Sequence, residues 1–129
     1  PEIFLTTFHA VVWIDHSEAH VLMFDREHVE AQRVKARSHH TPKHGHVGAD
    51  KDFFKHVAQA LEGVSEILLT GPANAKIEFR DFCKHNAHAV DKAIVDVVSS
   101  DHPTDAQLVA MARQYFLKYD QTAADPTQR

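Results

Sequence analysis

Residues 8–36 read FHAVVWIDHSEAHVLMFDREHVEAQRVKA, and their reading decides the fold. Phe8, Val11, Val12, Trp13 and Ile14 make residues 8–15 a strand rich in β-branched and aromatic residues. Both of its alternating faces are apolar, which is the pattern of a strand central in its sheet. The polar run Asp15-His16-Ser17-Glu18 is a turn, and residues 19–24 form a second strand in a hairpin with the first. Asp25-Arg26-Glu27 turns the chain again into a third strand over residues 28–36. Its inward candidates are Val29 and Ala31, then Val34 and Ala36, a one-residue slip that predicts a bulge.

After residue 49 the period changes. Asp50 is placed to cap a helix running to about Glu62, with Phe53, Val57 and Leu61 on one face and Gly63 as its stop. Residues 64–70 are a short buried strand. Gly71-Pro72 opens a second helix, with Pro72 in its first turn and Ala75, Phe79, Phe82 and Cys83 on its apolar stripe, ending near Asn86. Residues 89–98, rich in Val and Ile, predict a fifth strand. Thr104 and Gln107 form a capping box for a last helix, whose buried stripe is Leu108, Ala112, Tyr115 and Tyr119. Residues 121–129 carry no core positions and are expected to be a disordered tail on a single domain of residues 1–120. The order βββαβαβα predicts an α/β fold of the ribonuclease H-like kind: a mixed five-stranded sheet with helices on its faces.

Composition narrows the function classes. The chain has 129 residues, 43% of them hydrophobic and 25% charged, which is enough for one domain with one real core. Cys83 is its single cysteine, so no internal disulfide forms and a reducing, cytoplasmic setting is expected. No apolar run is long enough to span a membrane. The start, PEIFLTTFHAVVW, lacks the basic flank and cleavage site of a signal peptide.

With 14 Lys+Arg against 18 Asp+Glu the protein is acidic, yet residues 33–49, RVKARSHHTPKHGHVGA, contain no acid at all. That segment holds Arg33, Lys35, Arg37 and Lys43 together with His39, His40, His44 and His46. A basic, glycine-bearing loop on an acidic domain is a contact surface for phosphate or another polyanion. Arg33, Lys35, Arg37, His39, His40, Lys43, His44, Gly45 and His46 are its candidate RNA contacts. Lys76, near a helix start, is a further anion candidate.

Other chemistries fit less well. His39, His40, His44 and His46 are candidate zinc ligands, with Asp50 or His56 available to complete a set, but the spacing matches no strong zinc signature. A two-metal nuclease needs a third carboxylate beside Asp15 and Glu62, and the fourth strand ends Leu68-Leu69-Thr70 without one. Asp15 is better placed to close its turn by bonding backbone amides. Cys83 could pair with His85 or His88 as a nucleophile, but its place on an apolar stripe predicts a buried, inert thiol. No catalytic residue is assigned.

Two patches carry a resemblance. Val12-Trp13-Ile14-Asp15-x-x-x-Ala19 and Leu69-x-Gly71-Pro72-x-x-x-Lys76-x-x-Phe79 resemble the middle domain of archaeal and eukaryotic class-I peptide-chain release factors and Pelota. Small bacterial relatives labelled translational machinery proteins look closest, and the resemblance spans roughly residues 8–117. It implies a ribosome (rRNA) or tRNA partner. In release factors the corresponding loop carries a Gly-Gly-Gln tip that helps water cleave the peptidyl-tRNA ester. Here it reads Lys43-His44-Gly45-His46-Val47-Gly48, so the hydrolytic role does not carry over. Pelota also lacks the tripeptide and rescues stalled ribosomes without cleaving the ester. The resemblance thus implies a translation-associated RNA-binding domain acting in ribosome rescue or hibernation, with no cofactor. The alternatives are a metal-dependent hydrolase using the His-rich loop and a homodimeric protein-interaction module, for which an open sheet edge would serve.

Overall fold

The computed structural model describes residues 9–37 and 50–124, with side chains as far as Tyr119. Its elements run β1 (His9–Ile14), β2 (Glu18–Phe24), β3 (Val29–Lys35), α1 (Lys51–Ala60), β4 (Glu66–Gly71), α2 (Ala75–Asn86), α3 (His88–Ala93), β5 (Ile94–Ser99) and α4 (Asp105–Ala124). The strands form one mixed sheet in the order β3-β2-β1-β4-β5. β1 pairs antiparallel with β2 and parallel with β4, while β3 and β5 complete the antiparallel and parallel halves.

The central position of β1 follows from its sequence. Ala10, Val12 and Ile14 enter the core beneath α1, α2 and α3, where Phe53, Phe54, Phe79 and Cys83 meet them. Val11 and Trp13 enter the opposite core with Leu108, Val109, Ala112 and Phe116 of α4. Strand alternation therefore feeds two cores from one strand. Asp15 Oδ1 accepts the Ser17 and Glu18 amides at 2.8 and 2.9 Å, closing the β1–β2 turn as its sequence position predicts. Asp50 caps α1 by accepting the Phe53 amide at 3.0 Å, and Gly63 follows the helix at φ 87°. Thr104 and Gln107 make the reciprocal capping box at the head of α4.

Several expectations are corrected. β3 pairs with β2 in unbroken register, with no bulge. Val29 and Ala31 lie on the α4 side of the sheet and are exposed, whereas Val34 and Ala36 pack on the α1 side. The apparent slip is two residue pairs facing opposite ways. The ladder irregularity falls instead between β4 and β5, at Ile67/Leu68. Residues 89–93 of the predicted fifth strand lie in the helix α3, where Val90 and Ala93 reach the core at helical spacing and Asp91 lies 3.9 Å from Arg80. The β-branched run that makes a strand begins only at Ile94. α2 starts at Ala75, so Pro72 stands before the helix rather than in it. On α4, Val109 and Phe116 are buried, while Tyr115 and Tyr119 are only partly covered. That helix continues to Ala124, four residues into the segment expected to be tail.

Candidate nucleic-acid interface

The basic segment begins inside the sheet. Arg33 and Lys35 occupy alternate positions of β3, and Arg37 follows two residues later; all three are exposed. Residues two apart along a strand share a face and stand about 6.6 Å apart. Arg33 and Lys35 thus form a cationic row on the α4 side of the outermost strand, leading toward Arg37 and the rest of the basic stretch. His39, His40, Lys43, His44, Gly45 and His46 lie outside the described residues.

Arg33 is set by its neighbours. Across the β2–β3 ladder it faces His20. His20 Nδ1 is 3.1 Å from Asp105 Oδ1, at the head of α4, and its Nε2 is 3.4 Å from Glu18 Oε2. Asp105 Oδ2 lies 4.0 Å from Arg33 Nη2. This is a loose pair, and Arg33 keeps 57% of its side chain exposed, so its guanidinium remains open to a second anion. Trp13 Nε1 donates to the Asp101 carbonyl at 2.7 Å, tying β1 to the loop before α4. The His20 and His102 rings lie 5.3 and 5.0 Å from the Trp13 ring. Together with Pro103 and Thr104 these groups line a cavity of about 570 Å³ beside the cationic row. His102, with 69% of its side chain exposed, presents an open aromatic surface at that cavity.

Sequence reasoning misses this cluster because its members, from Trp13 to Asp105, meet only through the sheet. Trp13 reads simply as core, and it is indeed 3% exposed. One sequence candidate leaves the interface. Lys76 is 6% exposed, and its ammonium group donates to the Ala73 carbonyl just before α2. That contact uses a cation to satisfy a backbone acceptor next to a helix start, and it leaves Lys76 turned away from solvent anions.

Cys83 is fully buried, and burial with the nearby Asp91 carboxylate pushes its thiol up to about 12. The thiolate needed for nucleophilic attack is therefore suppressed near neutral pH. Native protein at pH 8 should resist iodoacetamide and react only in denaturant; rapid native alkylation would contradict this burial.

The metal reading has little support within the described part of the chain. Among the described residues no three His, Cys, Asp or Glu side chains converge as a metal site. Asp50 is committed to its helix cap and His56 is exposed on α1. The candidate ligands His39, His40, His44 and His46 lie outside those residues. Likewise, among the described residues no helix is long and apolar enough to cross a membrane.

The arrangement of one mixed sheet between α1–α3 and α4 is shared with known translation proteins. Pelota from Archaeoglobus fulgidus superposes with a TM-score of 0.62 at 19% identity, covering 84% of this chain and 31% of Pelota. The archaeal translation termination factor aRF1 gives a TM-score of 0.58 at 14% identity, over 93% of this chain and 42% of aRF1. Dom34 from S. cerevisiae, a translation termination-like factor involved in RNA quality control and interacting with Hbs1, gives 0.58 at 15% identity, over 88% of this chain and 35% of Dom34. This chain spans between about a third and two fifths of the length of these proteins. No protein-family model matches the sequence, and no curated protein sequence matches it. The fold is thus that of a domain found in Pelota and the archaeal release factor, as the two sequence patches led us to expect.

Proposed function

We propose that this chain is a translation-associated domain that binds ribosomal RNA or tRNA and does not hydrolyse the peptidyl-tRNA ester. The observation that carries the reading is the exposed Arg33-Lys35 row and Arg37, which open the acid-free stretch of residues 33–49 on an otherwise acidic protein. Structural kinship with Pelota, aRF1 and Dom34 supports translation as the setting. The absence of Gly-Gly-Gln from the whole chain supports a role without ester cleavage, such as ribosome rescue or hibernation.

The physics is that of phosphate contact. Each cation that meets a phosphate releases condensed counterions, so affinity falls with salt in proportion to the number of contacts. Arg33 and Lys35 project from a rigid strand, which holds them at fixed spacing without the entropy cost of ordering a loop. The cavity beside them offers the His102 ring as a stacking surface for an unpaired base. Lys43 and the histidines of residues 39–46 would extend the same contact, more strongly below about pH 6.5.

The test is the triple variant Arg33→Ala, Lys35→Ala, Arg37→Ala in a ribosome-binding titration. These side chains are exposed, so stability should change little. Affinity should fall roughly tenfold or more near 0.1 M salt, and the log–log salt slope should shrink by about two to three. An unchanged affinity and slope would remove β3 from the interface.

A further inference from the structure

Among the described residues β3 is an outermost strand of the sheet, and no described strand pairs with its outer side. The bonds from the Asp25 amide to the His28 carbonyl and from the Ala36 amide to the Ser17 carbonyl fix the phase of the β2–β3 ladder. Antiparallel partners alternate between bonded and non-bonded pairs. The even-numbered residues from His28 to Ala36 therefore bond to β2. Val29, Ala31, Arg33 and Lys35 point their N–H and C=O groups outward. All four residues are exposed, and no described element lies beyond them.

Charge along this edge is ordered. Residues 25–30 hold Asp25, Glu27 and Glu30 against Arg26, whereas residues 33–37 hold Arg33, Lys35 and Arg37 and no acid. An antiparallel copy of the same strand lays the acidic half of each against the basic half of the other. A parallel copy would set like against like. A two-fold axis perpendicular to the sheet brings together residues of the same parity. Centred on Gln32, it sets Ala31 against Arg33, Val29 against Lys35, and Glu27 against Arg37. Centred on Ala31, it sets Val29 against Arg33 and Glu27 against Lys35. Both registers join outward-pointing backbone groups, and neither places like charges directly opposite each other.

We propose that β3 pairs with β3 of a second copy of this chain, antiparallel about a two-fold axis, to form a continuous ten-stranded sheet. The interface satisfies the edge hydrogen-bonding groups that would otherwise template indiscriminate pairing. The Arg33 and Lys35 side chains stand on the sheet face rather than in the pairing plane, so dimerisation leaves them open and sets two cationic rows side by side. The pairing stands on backbone phase and charge order, independently of RNA binding.

The experiment is the molar mass of the 129-residue chain by sedimentation equilibrium over a concentration series. The mass should climb from 14.6 kDa toward twice that value. Ala31→Pro removes an outward N–H that β2 does not use, and an edge strand tolerates it. That variant should stay monomeric with an unchanged far-UV spectrum. Two charge variants on exposed positions give an answer even if the proline variant fails to fold. Glu27→Lys alone, and Lys35→Glu with Arg37→Glu, should each be monomeric because each sets like charges together. Mixed, they should form a one-to-one dimer, since the cation introduced at position 27 of one would then meet the acids introduced at positions 35 and 37 of the other. A monomer at every concentration, a dimer that survives Ala31→Pro in folded protein, or a mixture that stays monomeric would each overturn the pairing.

Discussion

Gly71→Ala is expected to lower the unfolding free energy by at least ~3 kcal/mol, because two independent penalties coincide there. Gly71 ends β4 at φ 152°, a conformation that residues with a Cβ rarely adopt. A Cβ at this position would also overlap the backbone carbonyl of Ile14, at the end of β1. Neither group can step aside cheaply. Ile14 is held opposite Ala19 in the β1–β2 ladder, and the Gly71 carbonyl accepts the Ser100 amide at 3.0 Å, which anchors the exit from β5. Relief would require separating β1 from β4 at the centre of the sheet. Gly63 supplies the comparison. It too has a positive φ, of 87°, but an added Cβ meets nothing within 4 Å. Gly63→Ala should therefore cost only the backbone term, about 1–2 kcal/mol. Urea midpoints at constant m-value measure both, and equal losses would contradict the close approach at Gly71.

The second large effect is expected at Phe54. Its side chain is 1% exposed, and its ring lies 5.7 Å from Phe53, 5.6 Å from Phe79 and 5.8 Å from Phe82. These rings join α1 to α2 over the sheet. Phe54→Ala removes the transfer free energy of a buried ring and leaves a cavity among the Phe53, Phe79 and Phe82 rings, a loss of about 3–5 kcal/mol. That is a large share of the stability of a typical domain, roughly 5–15 kcal/mol. Ile77, on the outer face of α2 and 56% exposed, should tolerate Ala within about 0.5 kcal/mol. A small loss at Phe54 would mean that the α1–α2 layer repacks freely and that the aromatic cluster does not hold it.

Much of this architecture is written in local patterns. The strand at Val11-Val12-Trp13-Ile14, the Asp50 cap, the Gly63 stop and the Thr104–Gln107 box each depend on neighbours within a few residues, and each is found where its residue types predict. The misread elements depend on tertiary placement. Residues 89–98 combine helix-compatible Ala and Lys with β-branched Val and Ile, and the core contacts of Val90 and Ala93 decide where helix gives way to strand. Val29 and Ala31 look inward by composition. They are exposed because β3 is at the edge, beyond the cover of α4, which no local pattern reveals. The candidate site divides in the same way. The charge of Arg33, Lys35 and Arg37 is plain in the sequence, while the cluster of Trp13, His20, His102 and Asp105 beside it requires the sheet to be assembled. Lys76 shows the converse, a cation in a recognisable patch that folding turns inward onto Ala73.

Co-sedimentation of the unmodified chain with ribosomes across a salt series tests the translation reading most directly. The account predicts pelleting with ribosomes at low salt that declines steeply and log-linearly as salt rises, with a slope that counts the phosphate contacts. No pelleting even at low salt would contradict it, leaving a fold shared with Pelota and aRF1 that serves a purpose other than ribosome contact.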